Sequence, residues 1–237
     1  VVIKLLPTNL LRNQRAEEDK HTTMENIDRD IDMLFATPIS KAFLQDTSIC
    51  KKYADLIIKE LNPDQQASLA KDLGVCTLSD QLHLREDFKE LCDLINSEAE
   101  FIFKSILGLD LSSVTMTGMW SNLQINNGTH HIHNHPNSFY SGVMYLQVPE
   151  TPEPGNIFFM DPRPAKLMWH ADFSKPNPLS DRNINYRPGT GLILFFPSWL
   201  DHGTTICKLP PDQKRISLSF NYVLTRSSTH TMKLQLT

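Results

Sequence analysis

The chain lacks most of the features that assign a protein quickly. Its 237 residues contain no apolar run near the ~18 residues of a membrane span. No dense Lys/Arg run appears either. Its 23 basic and 27 acidic side chains leave a net charge of -4 and a pI near 6.1, so no nucleic-acid partner is expected. The four cysteines, Cys50, Cys76, Cys92 and Cys207, form no CxxC pair, which argues against a zinc knuckle or a redox dithiol. Two disulfides are arithmetically open, although Cys92 lies on an apolar helical stripe and reads as a small buried hydrophobe. The opening VVIKLLPTNLLRNQRAEEDK has neither the long apolar centre nor the small-residue cleavage site of a secretory signal. It begins at Val1 rather than Met, so an upstream segment stays open. No repeat or low-complexity tract is visible. The expectation is a soluble, cytoplasmic protein with no membrane partner.

The composition is that of a folded chain. Hydrophobic residues make up 40%, and 27.1 kDa suffices for a full core without disulfides. Residues 1–32 are polar and without sustained periodicity, and read as a loosely attached arm. Residues 33–237 read as one domain, helical to about 110 and β-rich from 111 to about 226, with a tail over 227–237. MLFATPIS, from Met33, predicts a short strand ended by Pro38. Ser48–Leu61 predicts a helix capped by Ser48, with Tyr53, Leu56, Ile57 and Leu61 on one face and Asn62-Pro63 as its stop. A second short helix is expected over 64–72. The clearest runs over Glu86–Leu107, where Phe88, Leu91, Cys92, Ile95, Ala99, Ile102, Phe103, Ile106 and Leu107 form a helical stripe before Gly108.

After Gly108 the period changes. Val114–Ile125, Phe139–Val148, Asn156–Met160, Gly191–Phe196, Thr204–Cys207 and Arg215–Leu224 are β-branched or aromatic segments between Gly, Pro, Asn and Asp. The expected fold class is α+β. It is a double-stranded β-helix, a jelly-roll or cupin-like barrel, with the N-terminal helices packed on one face.

Four of the nine histidines, His130, His131, His133 and His135, fall within six residues. On a strand, His131, His133 and His135 point the same way, close enough for two imidazoles to share a metal such as iron, zinc, copper or nickel. A third ligand must come from elsewhere, and His202 in FPSWLDHG is the best candidate. The competing reading of HHIHNHPNS is a solvated polar loop. No HxD occurs on this segment; the one at His170–Asp172 leaves little room for intervening strands before His202. Trp120, Asn122, Gln124 and Asn126 share one strand face, which suits either a polar lumen or a solvated surface. Arg215 and Ser217 share a face as well, and a guanidinium beside a hydroxyl can clamp a carboxylate.

Together HNHPNSFYSGVMYL (133–146), DPR (161–163), GLILFFPSWLDH (191–202) and RISLSFN (215–221) resemble the iron(II)- and 2-oxoglutarate-dependent oxygenases, in a prolyl-hydroxylase-like branch. The resemblance covers about Met33 to Leu224. It implies His133, His135 and His202 as metal ligands. It also implies Arg215, aided by Ser217 and Tyr145, on the distal carboxylate of 2-oxoglutarate. Iron(II) and 2-oxoglutarate are the implied cofactors, and dioxygen with a small-molecule or peptide substrate the implied partners. The implied reaction is hydroxylation with release of succinate and CO2. His133-Asn134-His135 departs from the usual HxD, so water or a distant carboxylate could complete the sphere, or the register could shift to His131 and His133. Arg163 could contact substrate, with a loop ion pair as the plainer reading. Two rivals stand: a three-histidine cupin-type iron dioxygenase without 2-oxoglutarate, and a non-catalytic metal-binding jelly-roll module. A homodimer is left open by the short edge strands expected of such folds.

Overall fold

The computed structural model describes residues 35–61, 65, 75–78, 81–163, 174–175 and 180–225. The chain divides into two units, Val1–Ala36 and Thr37–Thr237. The first lies almost wholly outside the described residues, and the fold is that of the second. The expected helix over 64–72, His170 and Asp172 of the HxD, and the tail also lie outside them, apart from Gln65.

Among the described residues nine strands form two antiparallel sheets. The larger takes β1 (Ser40–Phe43), β2 (Val75–Leu78), β3 (Val114–Gln124), β4 (Tyr140–Gln147), β7 (Leu192–Pro197) and β9 (Arg215–Leu224), in the order β1-β7-β4-β9-β3-β2. The smaller takes β5 (Ile157–Met160), β6 (Asn183–Tyr186) and β8 (His202–Thr204), in the order β6-β5-β8. No hydrogen-bonded ladder closes them into a barrel among the described residues.

Period-two alternation divides the large sheet between two surroundings. Leu192, Leu194 and Phe196 of β7 pack with Ile157 and Phe159 of the small sheet, while Ile193 and Phe195 face the helices. Val143 and Tyr145 of β4 go to the small-sheet side, and Met144 and Leu146 to the helix side. On β9 the even positions Ile216, Leu218, Phe220 and Tyr222 join the helix-side core. The odd positions Arg215, Ser217 and Ser219 line the cavity between the sheets.

The helix-side core is roofed by α1 (Ser48–Glu60) and α2 (Lys89–Glu100). Cys50, Tyr53, Ala54 and Ile57 form the buried stripe of α1, and Leu91, Cys92, Ile95 and Ala99 that of α2. The chain then winds as a π-turn over Phe101–Ile106. That turn carries Phe103 into a ring cluster with Phe139, Tyr140 and Tyr222, at centroid separations of 6.1, 5.6 and 5.2 Å.

Several local expectations are corrected. The strand expected to end at Pro38 begins after it, at Ser40, because proline has no N–H to offer a ladder. Thr47, not Ser48, is the N-cap of α1, and the Asp46 carboxylate accepts from both the Ser48 N–H and hydroxyl. Ile106 is 48% exposed, since the wider π-turn rotates it off the stripe. The strand expected over 204–207 lies at His202–Thr204, and Cys207 makes only an isolated bridge to Pro154. β6, mostly exposed and rich in asparagine, had no apolar alternation to announce it.

Candidate metal centre and its buried arginine

The histidine segment is a loop rather than a strand, and its one pairing is an isolated bridge between His133 and His202. His133 N–H donates to the His202 carbonyl and His202 N–H to the His133 carbonyl, both at 2.9 Å. His135 N–H donates to the Ser198 carbonyl, also at 2.9 Å. Asn134, on the opposite side, donates to the Asp201 carboxylate at 2.8 Å. Pro136 and the turn after it end any extended run, yet the alternation across 133–135 survives.

One ring nitrogen each from His133, His135 and His202 can be chosen so that all three lie within 4.8 Å of one another. His133 Nδ1 is 2.7 Å from the His131 carbonyl and His202 Nδ1 is 2.8 Å from the Leu200 carbonyl. A carbonyl only accepts, so both Nδ1 atoms carry hydrogen and both Nε2 atoms present lone pairs. Burial holds His202 and His135 at about 4, well below the usual imidazole range, and His133 nearby lowers both further. Neutral imidazole is the ligating form. Three imidazoles suit a borderline divalent ion such as iron(II). Phe196 and Phe159 pack on His202 at 4.6 and 5.9 Å, and Trp120 on His135 at 5.8 Å, so the cluster has an apolar jacket.

The same cavity holds an uncompensated charge. Arg215 is 2% exposed and no carboxylate pairs with it among the described residues. Its Nη1 donates to the carbonyls of Pro154 (2.9 Å) and Gly155, and its Nε has no partner. Burial disfavours the guanidinium charge. A buried cation without a counter-ion is costly, so the cavity favours an anion. Gly155 makes the approach feasible: its φ is +77°, and a Cβ there would sit 2.6 Å from Arg215 Nη1.

Around Arg215 the register lines up polar groups. Ser217 pairs with Asn122 of β3 and with Tyr145 of β4, and Gln124 pairs with Arg215. Asn122 accepts from Thr77 at 3.0 Å and donates to Ser219 at 3.1 Å. The Tyr145 ring lies 5.7 Å from the guanidinium, and burial pushes its hydroxyl up. His130 lines the cavity too, lowered to about 4 by burial and then by Arg215.

All six sequence-predicted site residues, His133, His135, His202, Arg215, Ser217 and Tyr145, line this cavity. Exposed His131 does not, and it stands outside the three-histidine group. Arg163 is exposed and pairs bidentately with Asp161, its Nε at 2.9 Å and Nη2 at 2.6 Å. The sequence reading gave no role to His130 or Asn221. Period-two counting from Arg215 through Ser217 and Ser219 arrives at Asn221, so its signal was present.

Residues 118–221 match the model of a family described as "Putative 2OG-Fe(II) oxygenase". No curated protein matches the chain in sequence. Solved structures show the fold. A prolyl-4-hydroxylase from Pseudomonas putida is 15% identical with a TM-score of 0.54, covering 80% of this chain and 94% of that one. HygX from Streptomyces hygroscopicus, solved with nickel and 2-oxoglutarate, is 10% identical with a TM-score of 0.53, covering 80% and 84%. The non-heme α-ketoglutarate-dependent epimerase SnoN from nogalamycin biosynthesis is 13% identical with a TM-score of 0.55, covering 84% and 86%. Over those lengths the chain has the double-stranded β-helix fold. No helix among its described residues is long and apolar enough to cross a membrane.

Proposed function

We propose that this chain is an iron(II)- and 2-oxoglutarate-dependent oxygenase that hydroxylates a C–H bond of its substrate, with iron(II) held by His133, His135 and His202 and the distal carboxylate of 2-oxoglutarate held at Arg215. The observation that carries the reading is Arg215, a buried cation with an unpartnered Nε in the cavity that the three histidines line. Ser217 and Tyr145 flank that guanidinium and supply hydroxyls to the same carboxylate. When bound, iron(II) and 2-oxoglutarate supply the oxidation: one atom of dioxygen goes to succinate, released with CO2, and the other to the substrate C–H.

The chain's own work is positioning and exclusion. The two loop carbonyls hold the His133 and His202 rings with Nε2 toward the ion. Val143, Ile157 and Phe196 wall the cavity with carbon and keep water out. Arg215 would hold the distal carboxylate of the cosubstrate in the cavity that the histidines also line. A cupin-type dioxygenase would share the three histidines, need no 2-oxoglutarate and leave Arg215 to grip substrate directly. The buried free thiols Cys50, Cys92 and Cys207 fit a reducing, cytoplasmic setting.

The test is succinate formation from 2-oxoglutarate by iron(II)-loaded protein in air, without substrate. Slow turnover is expected in the wild type and none in His202→Ala. Equal rates in the two, or no dependence on 2-oxoglutarate, would contradict the proposal.

A further inference from the structure

The cavity holds a fourth histidine to which no role has fallen so far. His130 lines it without belonging to the group of three rings that can share an ion. Its main chain is fixed from two sides. The His130 N–H donates to the Thr204 hydroxyl at 2.8 Å, and the Thr204 N–H donates to the His130 carbonyl at 3.0 Å. The Thr129 hydroxyl adds a bond to the Thr204 carbonyl at 2.7 Å. Gly203 lets the two segments come this close, since a Cβ there would lie 3.1 Å from the His130 carbonyl oxygen. Thr204 and His202 belong to the same strand, β8, so His130 is held to the element that carries one of the three rings.

The His130 ring has no such support. Neither of its nitrogens has a hydrogen-bond partner among the described residues. Buried polar groups that serve packing alone are satisfied by the protein around them, and this partly buried imidazole is left open to a cavity. An imidazole carries at least one N–H in either tautomer and in the cation, so the ring offers a donor whatever its protonation. Its neighbours stand at the two ends of the proposed site. The His133 ring is 6.5 Å away between centroids, and Arg215 is the charge that acts on His130 most strongly. A molecule held both by a metal at His133 and by Arg215 runs past His130. Arg215 itself gives Nη1 to the carbonyls of Pro154 and Gly155, so a second donor at that end adds to what the guanidinium offers.

Resting on the metal and cosubstrate sites proposed above, we infer that His130 is a cosubstrate-binding residue whose ring N–H donates to the carboxylate held at Arg215. Its pairing with Thr204 sets the ring in place before the cosubstrate arrives. No proton is transferred; the ring orients the diacid and favours it over a monoacid of the same length.

Calorimetric titration of Zn²⁺-loaded protein, which does not turn over, reads this without activity. The probes are 2-oxoglutarate and 2-oxopentanoate, which has the same carbon chain without the distal carboxylate. His130→Phe keeps a ring and loses the donor, and should bind 2-oxoglutarate roughly 10–100-fold more weakly, as for loss of a hydrogen bond to a charged group. Its affinity for 2-oxopentanoate and for Zn²⁺ should be that of the wild type. His130→Asn and His130→Gln carry an amide N–H near the two ring-nitrogen positions, and one of them should recover most of the loss. Unchanged 2-oxoglutarate binding in His130→Phe, or recovery in neither amide variant, would overturn the inference. Equal losses for the two acids would move His130 to the keto acid end and overturn it too. Weaker Zn²⁺ binding in His130→Phe would assign the ring to shaping the histidine loop, with the same consequence. Arg215→Met binding 2-oxoglutarate as the wild type does would instead sink the cosubstrate site on which the inference rests.

Discussion

The two faces of β9 share one backbone and do opposite work. Ile216, Leu218, Phe220 and Tyr222 are buried against helices and neighbouring aromatics, and each removes apolar surface from water. Arg215, Ser217, Ser219 and Asn221, one residue out of phase, bring a cation, two hydroxyls and an amide to the region of the histidines. Arg215 and Ser217 are as buried as the apolar set, at 2% and 5% exposure. The first face stabilises the fold, and the second is tolerated by it. Burial alone therefore does not distinguish structure from site here; a buried cation that no carboxylate pairs among the described residues does.

The comparison can be broken most directly from the apolar side. Phe220→Ala removes a ring packed on Phe195 at 5.1 Å and should cost about 3–5 kcal/mol in urea unfolding. The loss should leave the pH dependence of stability unchanged, because nothing on that face of β9 titrates near neutrality. On the polar face, Arg215→Met should weaken 2-oxoglutarate binding by about 2–5 kcal/mol in a competition assay. The same change should leave the melting temperature unchanged or raised, since it removes a buried charge that has no counter-ion. A fall in melting temperature comparable to that of Phe220→Ala would erase the distinction between the faces.

A smaller effect sharpens it. His130, His135 and His202 are each lowered from 6.5 to about 4, with burial as the first cause. Between those values the unfolded chain binds more protons than the folded one, so stability rises with pH. Their contribution is complete above about 6.5 and is lost as pH falls toward about 4. Melting curves of metal-free protein should therefore drop steadily from pH 7 to 5. A flat profile over that range would show that these rings are not buried as neutral groups.

Much of this was legible in the residues. The α2 stripe, the strands β3, β4, β5, β7 and β9 and the face shared by Arg215 and Ser217 follow from periodicity alone, because burial on one side forces a repeat. Two members of the three-histidine group, His133 and His135, were legible from histidine density, although the segment that carries them is a loop held by one bridge. Other features had no local signal. β6 pairs at an exposed edge without an apolar face, and the π-turn after α2 is set by how Phe103 meets three other rings. The lack of a counter-ion for Arg215 among the described residues is a property of several segments at once, including the carbonyls of Pro154 and Gly155, and no window of sequence contains it.

The most direct test is an anaerobic titration of iron(II)-loaded protein with 2-oxoglutarate, followed by the weak visible charge-transfer band of the chelate. The band should appear in the wild type, require more 2-oxoglutarate in Arg215→Met and be absent in His202→Ala. No band in wild-type protein carrying stoichiometric iron would contradict the assignment of this cavity to iron(II) and 2-oxoglutarate.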